Sequence, residues 1–175
     1  MNFLTIGSMK KIIFGCILCV LTSCIHLEAE KYDIEFGIEN NTTVPVELQF
    51  YRTGELAFRY GITPLEVGEQ LIGVGIERRG EPWSDLDEEN LSIPGDSFEA
   101  DSIRIIFNNE KIKICTFLNS FEGPIFTPID KNIFNSLEYT SIGNDQFLFK
   151  LEESDYESAE DCLGDCNLDY FYKIN

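Results

Sequence analysis

Histidine, the most common general base in enzymes, occurs once in this sequence of 175 residues, at His26. A nucleophilic serine or cysteine needs a base within hydrogen-bonding distance, and many zinc sites use several histidines. His26 lies two residues after Cys24, in a segment that we interpret as a tether before the folded domain. The sequence therefore argues against Ser–His–Asp, Cys–His and His-rich zinc chemistry.

Carboxylates are abundant, with 31 Asp and Glu side chains. Two acids suffice in principle for glycoside hydrolysis, but among so many acids some pair will always lie at a suitable distance. The acidic stretch from Glu152 to Asp169 lacks the ligand spacing and central glycine of a calcium-binding loop, and we interpret it as a solvated helix face and turn. We therefore predict a protein that is not an enzyme and needs neither a metal nor a cofactor.

Three cysteines fall in the predicted folded domain, at positions Cys115, Cys162 and Cys166. In an oxidising compartment we expect one disulfide among them. A Cys162–Cys166 bridge is the first choice, because Gly164 allows the chain to turn back between them. A bridge from Cys115 to either one is the alternative, and a zinc site of three thiolates is a minor one, since it lacks a fourth ligand.

An apolar segment of twelve residues, Ile12 to Ser23, follows the basic pair Lys10 and Lys11. It is shorter than the roughly 20 residues needed to span a bilayer, but it suits the apolar core of a secretory signal. The sequence Leu21-Thr22-Ser23-Cys24 resembles the bacterial lipobox, in which the cysteine thiol is lipidated and the preceding peptide is removed. The resemblance implies a signal peptide over residues 1–23, a lipidated tether over 24–31 beginning at Cys24, and one domain over 32–175.

Two alternatives to this interpretation are an ordinary secreted protein and a buried apolar helix. The start of translation also stays open, because Met9 begins a normal leader by itself. The choice between Met1 and Met9 does not alter the predicted mature chain.

The predicted mature chain is strongly acidic. Residues 1–23 contain two lysines and no acid, so the remainder has 11 basic and 31 acidic side chains, a net charge of 11 − 31 = −20. Such a surface disfavours nucleic acid, whose phosphates require clustered Lys and Arg, and it disfavours anionic lipid. We therefore expect no nucleic-acid partner and attachment to the membrane through the lipid on Cys24.

After the tether, apolar and polar residues alternate in the manner of half-buried strands. Ile34–Ile38 and Val44–Phe50 flank a short polar turn and are predicted to form a hairpin. In the predicted strand Lys111–Phe117, Ile112 and Ile114 are expected to face inward, which would turn Cys115 outward. The predicted core comprises Ile34, Phe36, Val46, Leu48, Phe50, Ile105, Ile112, Ile114, Phe147 and Phe149.

Two further hairpins have turns rich in Asn, which tolerates positive φ. They are predicted over Ile103–Phe107 with Lys111–Phe117, and over Leu137–Ile142 with Gln146–Leu151. Other predicted elements are a strand over Leu71–Arg78, a loop over Gly80–Pro94 and a closing strand over Leu168–Ile174.

One helix is predicted, with Ser154 as N-cap and Glu157 three residues later. It would run through Ala159 to about Cys162. Short strands joined by turns, with a single short helix, favour an all-β fold. We predict an antiparallel immunoglobulin-like β-sandwich of about seven or eight strands with one short helix near the C-terminus.

The lipobox, a first strand that ends in an Asn-Asn-Thr turn, the acidic surface and a late hairpin together resemble the small all-β lipoproteins of Bacteroidota. The resemblance implies a lipoprotein of the outer membrane in the bacterial cell envelope, facing the periplasm or the cell surface. It implies no activity, since many such proteins have no assigned function.

Two residues remain as candidate sites. Trp83 lies in the predicted loop and could stack on a sugar or anchor a protein partner, although a single Trp often caps a core instead. Asp101-Ser102-Ile103 resembles the short O-glycosylation motif of Bacteroidota, with Ser102 as acceptor. We predict a non-catalytic binding or structural module for a glycan or protein. The alternative is an inhibitor or immunity-type lipoprotein that neutralises a basic toxin or enzyme.

Overall fold

The computed structural model describes residues 31–79, 93–121, 123–162, 164 and 166. The chain divides into two units, Met1–Glu30 and Lys31–Asn175, and every described residue belongs to the second. The predictions for Cys24, His26, Trp83 and the closing strand Leu168–Ile174 therefore concern positions outside the described residues.

The described residues form twelve strands, several of them only two to four residues long. They are β1 (Lys31–Asn41), β2 (Val46–Arg52), β3 (Glu55–Leu56), β4 (Ile62–Leu65), β5 (Gln70–Ile72), β6 (Ile76–Arg79), β7 (Ser102–Phe107), β8 (Lys111–Ser120), β9 (Gly123–Thr127), β10 (Thr140–Gly143), β11 (Gln146–Glu152) and β12 (Glu160–Asp161). Two short α-helices, α1 (Ile93–Ser97) and α2 (Glu153–Ser158), and a 3₁₀ turn (Ser136–Glu138) complete the described structure.

The strands form two sheets that enclose the core. The first has the order β10-β11-β1-β5, with β6 also paired to β1. The second has the order β12-β8-β7-β2-β3, with β4 paired to β2 and β9 to β8. The predicted all-β sandwich with a short helix near its C-terminus is confirmed, and one pairing, β1 with β11, is parallel.

Two ends of the sandwich follow from the strand directions. Residues 42–45 connect the end of β1 to the start of β2, and we call this end of the sandwich the lower end. Because β2, β7 and β8 are successively antiparallel, β8 runs in the same direction as β2, away from the lower end. The upper end therefore contains the start of β1 at Lys31 and the end of β8 at Ser120.

The core between the sheets is built from alternate residues of the long strands. Eight of the ten predicted core residues are buried, and the prediction is wrong for Ile112 and Ile114, which are only half-buried. In the β7–β8 register, the buried Ile103 pairs with Cys115. The row of β8 side chains that contains Cys115 therefore faces the core, and Cys115 is fully buried. The prediction that Cys115 points outward is therefore also wrong.

The predicted hairpin between the first two apolar runs is wrong, because β1 and β2 belong to different sheets. The buried Asn40 side chain holds the connection between the sheets. Its Nδ2 donates to the carbonyl oxygens of Val44 (2.9 Å) and Leu65 (3.0 Å), and its Oδ1 accepts from the backbone N–H of Thr42 (3.1 Å). These bonds satisfy a buried amide and turn the chain across the core.

The other two predicted hairpins are confirmed as β7–β8 and β10–β11, but residues 137–138, predicted as strand, belong to the 3₁₀ turn. Positive φ angles occur in both turns, at 48° and 53° for Asn108 and Asn109 and at 53° and 57° for Asn144 and Asp145. Side chains that tolerate this region thus fix both turns locally.

The predicted strand Leu71–Arg78 is interrupted, and its two halves, β5 and β6, both pair with β1. Gly73 lies in the gap, where its N–H donates to Phe36 O (2.7 Å). A Cβ on Gly73 would lie 2.3 Å from Ser97 Oγ, so a glycine is needed for α1 to pack there. Ile93 and Pro94, predicted as loop, belong to α1.

The helix near the C-terminus begins and ends earlier than predicted. Glu152, not Ser154, is the N-cap of α2, and Asp155 completes its capping box. The helix ends at Ser158, where the chain enters β12. The predicted extension to about Cys162 is therefore wrong, because residues 160–161 pair with β8 instead.

Candidate functional site

A groove of about 650 Å³ lies along the outer edge of β8, between β12 and β9. The segment after β9 and helix α2 form its other walls. Its apolar surface comes from Ile112, Ile114, Pro128 and Ala159, and its charged surface includes Lys113, Lys131 and Asp155.

The edge of β8 is open over three residues in this groove. β12 pairs with Lys111 and Ile112, and β9 pairs with Thr116 onward; among the described residues no strand pairs with this edge in between. The Phe117 N–H donates to Asp101 O, toward β7. Since backbone groups alternate in direction along an antiparallel strand, the N–H and C=O of Ile114 point into the groove.

A buried carboxylate organises the charged wall. Asp155 is 3% exposed and accepts from Lys113 Nζ at 2.9 Å, from Lys131 Nζ, and from the Glu152 backbone N–H at 2.9 Å. Lys131 Nζ also donates to Glu152 Oε2 at 2.9 Å. We call Lys113, Lys131, Glu152 and Asp155 the ion network.

Local structure fixes each member of this network. Asp155 is placed by the capping box of α2, and Lys113 by the β7–β8 register. Lys131 lies in a loop that the buried Asn132 side chain holds, because its Nδ2 donates to Pro128 O (3.0 Å) and Thr116 O (3.2 Å). The network is thus built on rigid elements.

The network shifts the pKa values of Asp155 and Lys131 away from neutrality. Burial alone would raise the pKa of Asp155, but the Glu152 N–H and the ammonium groups of Lys131 and Lys113 outweigh it and lower this pKa. Burial alone would lower the pKa of Lys131, but its bonds to Asp155 and Glu152 outweigh it and raise that pKa. Both groups are charged at neutral pH.

The cysteines divide as the first-choice interpretation predicted. Cys162 and Cys166 form a disulfide, which confirms that pairing. Cys115 is a free thiol in the core, and burial raises its pKa. A protonated, buried thiol is a poor nucleophile.

Ser102 opens β7, where it is half-buried and pairs with Tyr51 on one side and Thr116 on the other. The structure brings neither Ser102 nor the disulfide into the groove. O-glycosylation of Ser102 stays a prediction.

Sequence reasoning missed the ion network. One signal was present in the strand Lys111–Phe117. Ile112 and Ile114 lie on one face, whereas Cys115 and Phe117 lie on the face that also contains Lys113, so apolar residues occur on both faces and a lysine lies beside a potential core row. A capping box was also predicted, but with Ser154 as N-cap instead of Glu152. No group of three or more metal-ligating side chains occurs in the described residues, and none of their helices is long and apolar enough to span a bilayer.

Comparison with known proteins gave no relative: no family model, curated protein or solved structure matched this chain. The interpretation of the groove therefore depends on its own geometry and chemistry. The fold defines the class as an all-β sandwich.

Proposed function

We propose that this protein is a membrane-anchored bacterial lipoprotein of the cell envelope, whose domain binds a glycan or protein without catalysing a reaction. The lipobox-like sequence that ends at Cys24 supports the attachment. The groove beside β8 supports the binding role, because it combines apolar walls with a few fixed polar groups, as ligand sites commonly do.

The protonation state of the groove carries the non-catalytic part of this proposal. A general acid or base works best with a pKa near the working pH. Asp155 has a lowered pKa and Lys131 a raised one, and each is already held by hydrogen bonds. Such groups can orient a ligand by fixed charge, but they are poorly suited to exchanging a proton with it.

The open edge of β8 favours a ligand with an extended polar backbone. Ile114 offers one donor and one acceptor between the apolar surfaces of Pro128 and Ala159, and strand edges commonly bind extended segments in this way. The loop that contains Trp83 is proposed as a second contact, at a separate position in the chain.

A blocked groove tests the binding role. Thr127 lines the groove and is exposed, so Thr127→Arg fills it without disturbing the core. Thr140→Arg, at an exposed strand position outside the groove lining, is the matched control. Immobilised protein is exposed to envelope extract, and captured material is quantified; it should be lost with Thr127→Arg and kept with Thr140→Arg.

The non-catalytic claim has its own test. Purified protein is incubated with cell-wall and glycan substrates, and products are measured by mass spectrometry. Turnover that disappears when Asp155 or Glu152 is neutralised, in variants that circular dichroism shows to be folded, would show that the protein is an enzyme and that this proposal is wrong.

The membrane anchor is tested at Cys24. In Cys24→Ser the mass of the attached lipid should disappear from the intact protein, and partitioning into the detergent phase should change. If the variant and the natural protein have masses that differ only by the substitution itself, Cys24 is not lipidated.

The inhibitor or immunity-type role remains the second candidate, because several exposed acids lie together at the lower end. Exposed carboxylates there include Glu110, Glu152, Glu157, Glu160 and Asp161. Binding of this type would weaken steeply with salt, since exposed charges are screened within about 10 Å at 0.1 M ionic strength. Capture from envelope extract at low and high salt separates it from binding in the apolar groove.

A further inference from the structure

The ribbon formed by the end of β8 and by β9 exposes large apolar side chains. Leu118 and Ile125 pair directly across the two strands and are 65% and 53% exposed, and Phe121 in the turn is fully exposed. We call Leu118, Phe121 and Ile125 the apolar tip.

The composition of this ribbon is unusual for a surface element. From Thr116 to Ile129 the sequence contains one charged residue, Glu122, in a chain in which 25% of residues are charged. Its other face has a clear role, because Phe117 and Phe126 pack against the core. The apolar residues of the exposed face have no such packing role among the described residues.

The ribbon lies at the end of the sandwich from which the chain leads to the predicted anchor. β8 ends at the upper end, where β1 begins at Lys31. Cys24 lies seven positions before Lys31, and a fully extended chain of this length spans at most about 25 Å. A lipid on Cys24 would therefore keep the upper end close to the bilayer surface.

We propose that the apolar tip inserts into the lipid bilayer as a second membrane contact that orients the domain. This inference rests on the proposed function, since it requires the lipid on Cys24. Large apolar side chains are stabilised on leaving water, and Phe and Leu side chains of membrane-surface proteins lie at the boundary between headgroups and acyl chains.

This orientation has a consequence for the rest of the domain. With the upper end on the membrane, the exposed acids of the lower end are directed away from the lipid. The lower part of the sandwich, which contains α2 and the ion network, would then face the aqueous compartment.

The test places an environment-sensitive fluorophore at the tip of the full-length lipidated protein. The variant Phe121→Cys introduces a thiol for the label. Among the cysteines that the structure describes, Cys115 is buried and Cys162 and Cys166 are bridged, so only the new thiol is accessible. The matched control is Val67→Cys, an exposed apolar position in the β4–β5 turn at the lower end.

Each labelled protein is reconstituted into uncharged phosphatidylcholine vesicles and also studied in detergent-free buffer at several protein concentrations. We expect a blue shift of emission and slow quenching by an aqueous quencher for the label at 121, and an aqueous spectrum for the label at 67. A label can also be placed within the tip at Ile125→Cys. Combining this substitution with Phe121→Asp should abolish the blue shift that the label at 125 shows by itself.

Four outcomes separate the inference from the proposal on which it rests. Protein that floats with vesicles while the label at 121 stays aqueous overturns the membrane contact and leaves the lipoprotein proposal intact. An intact mass without lipid on Cys24 overturns both. A blue shift in buffer that grows with protein concentration assigns the tip to a second copy of the chain and overturns the bilayer contact. Equal shifts at positions 121 and 67 overturn the proposed orientation.

Discussion

The lower and upper ends of this sandwich differ in the burial and hydrogen bonding of their side chains. At the lower end the side chain of Asp155 is buried, and its oxygens accept hydrogen bonds from Lys113, Lys131 and the Glu152 backbone. At the upper end Phe121 is fully exposed in an almost uncharged ribbon. The charges of the ion network are satisfied by one another, whereas the upper end presents apolar surface that no described residue covers.

This difference separates residues that stabilise the fold from residues that are available to a partner. A buried charge without its partners carries a large free-energy penalty, so the ion network should be sensitive to substitution. Exposed apolar residues contribute little to folding, so the apolar tip should tolerate it. The following experiments test this contrast.

The largest effect is expected from Asp155→Ala, which leaves the ammonium groups of Lys113 and Lys131 without their shared partner. Breaking a buried ion pair by removing one member typically costs about 3 to 5 kcal/mol, and the capping-box bond is lost as well. We expect a decrease of this size in the free energy of unfolding, measured by urea denaturation.

Glu157→Ala is the control for that substitution, because Glu157 is an exposed acid on the same helix. Its expected effect is within about 0.5 kcal/mol. Equal destabilisation by the two variants would mean that α2, and not the ion network, responds to the loss of an acid.

A smaller effect is expected from removing the disulfide with the double substitution Cys162→Ser and Cys166→Ser. The bridge closes a loop with a sequence separation of 4, and the chain-entropy relation gives about 2 kcal/mol for so short a loop. Adding a reductant should lower the unfolding free energy of the natural protein by a similar amount. The same reductant should leave the unfolding free energy of the double variant unchanged. A decrease in that variant would mean that the reductant does not act through this disulfide.

Acid should weaken the ion network in a defined pH window. The pKa of Asp155 is lowered in the folded protein, so its stabilising contribution is present above the ordinary carboxyl pKa of about 3.9. That contribution is lost as the pH falls below this value and through the lowered pKa. We expect the unfolding free energy to decrease over this range, as measured by urea denaturation at several pH values.

Other acids also titrate there, so the comparison needs two variants. Asp155→Asn should show a shallower decrease than the natural protein, because it lacks the shifted group. Glu157→Gln should keep the natural slope. If both variants show the same slope, Asp155 does not carry the acid dependence.

The smallest effect is expected at the apolar tip. Phe121→Ala should change the unfolding free energy by less than about 0.5 kcal/mol, because its ring is fully exposed. Phe117→Ala on the preceding strand β8 is the contrast, since that ring packs on Phe134 with centroids 5.1 Å apart, and its decrease in unfolding free energy should be clearly larger. Thermal unfolding of both variants measures the difference, and a marked loss in Phe121→Ala would assign the tip a structural role.

The sequence by itself determined those features that depend on near neighbours. Asn108 and Asn109 define the β7–β8 turn, Gly143 to Asp145 define the β10–β11 turn, and Cys162 and Cys166 are four residues apart. In each case a few adjacent residues contain the necessary geometry, so local chemistry predicts the outcome. The all-β class followed in the same way, because period-2 alternation is a property of each strand.

The tertiary structure alone decided which sheet each strand joins and which of its rows faces the core. Alternation defines two faces of β8, but both carry apolar residues, and only pairing with β7 and packing against the first sheet turned Cys115 inward and left Ile114 in the groove. The ion network joins Asp155 to lysines 24 and 42 residues away in the chain. Contacts over such separations depend on how complete sheets pack, and no local pattern in the sequence specifies that packing.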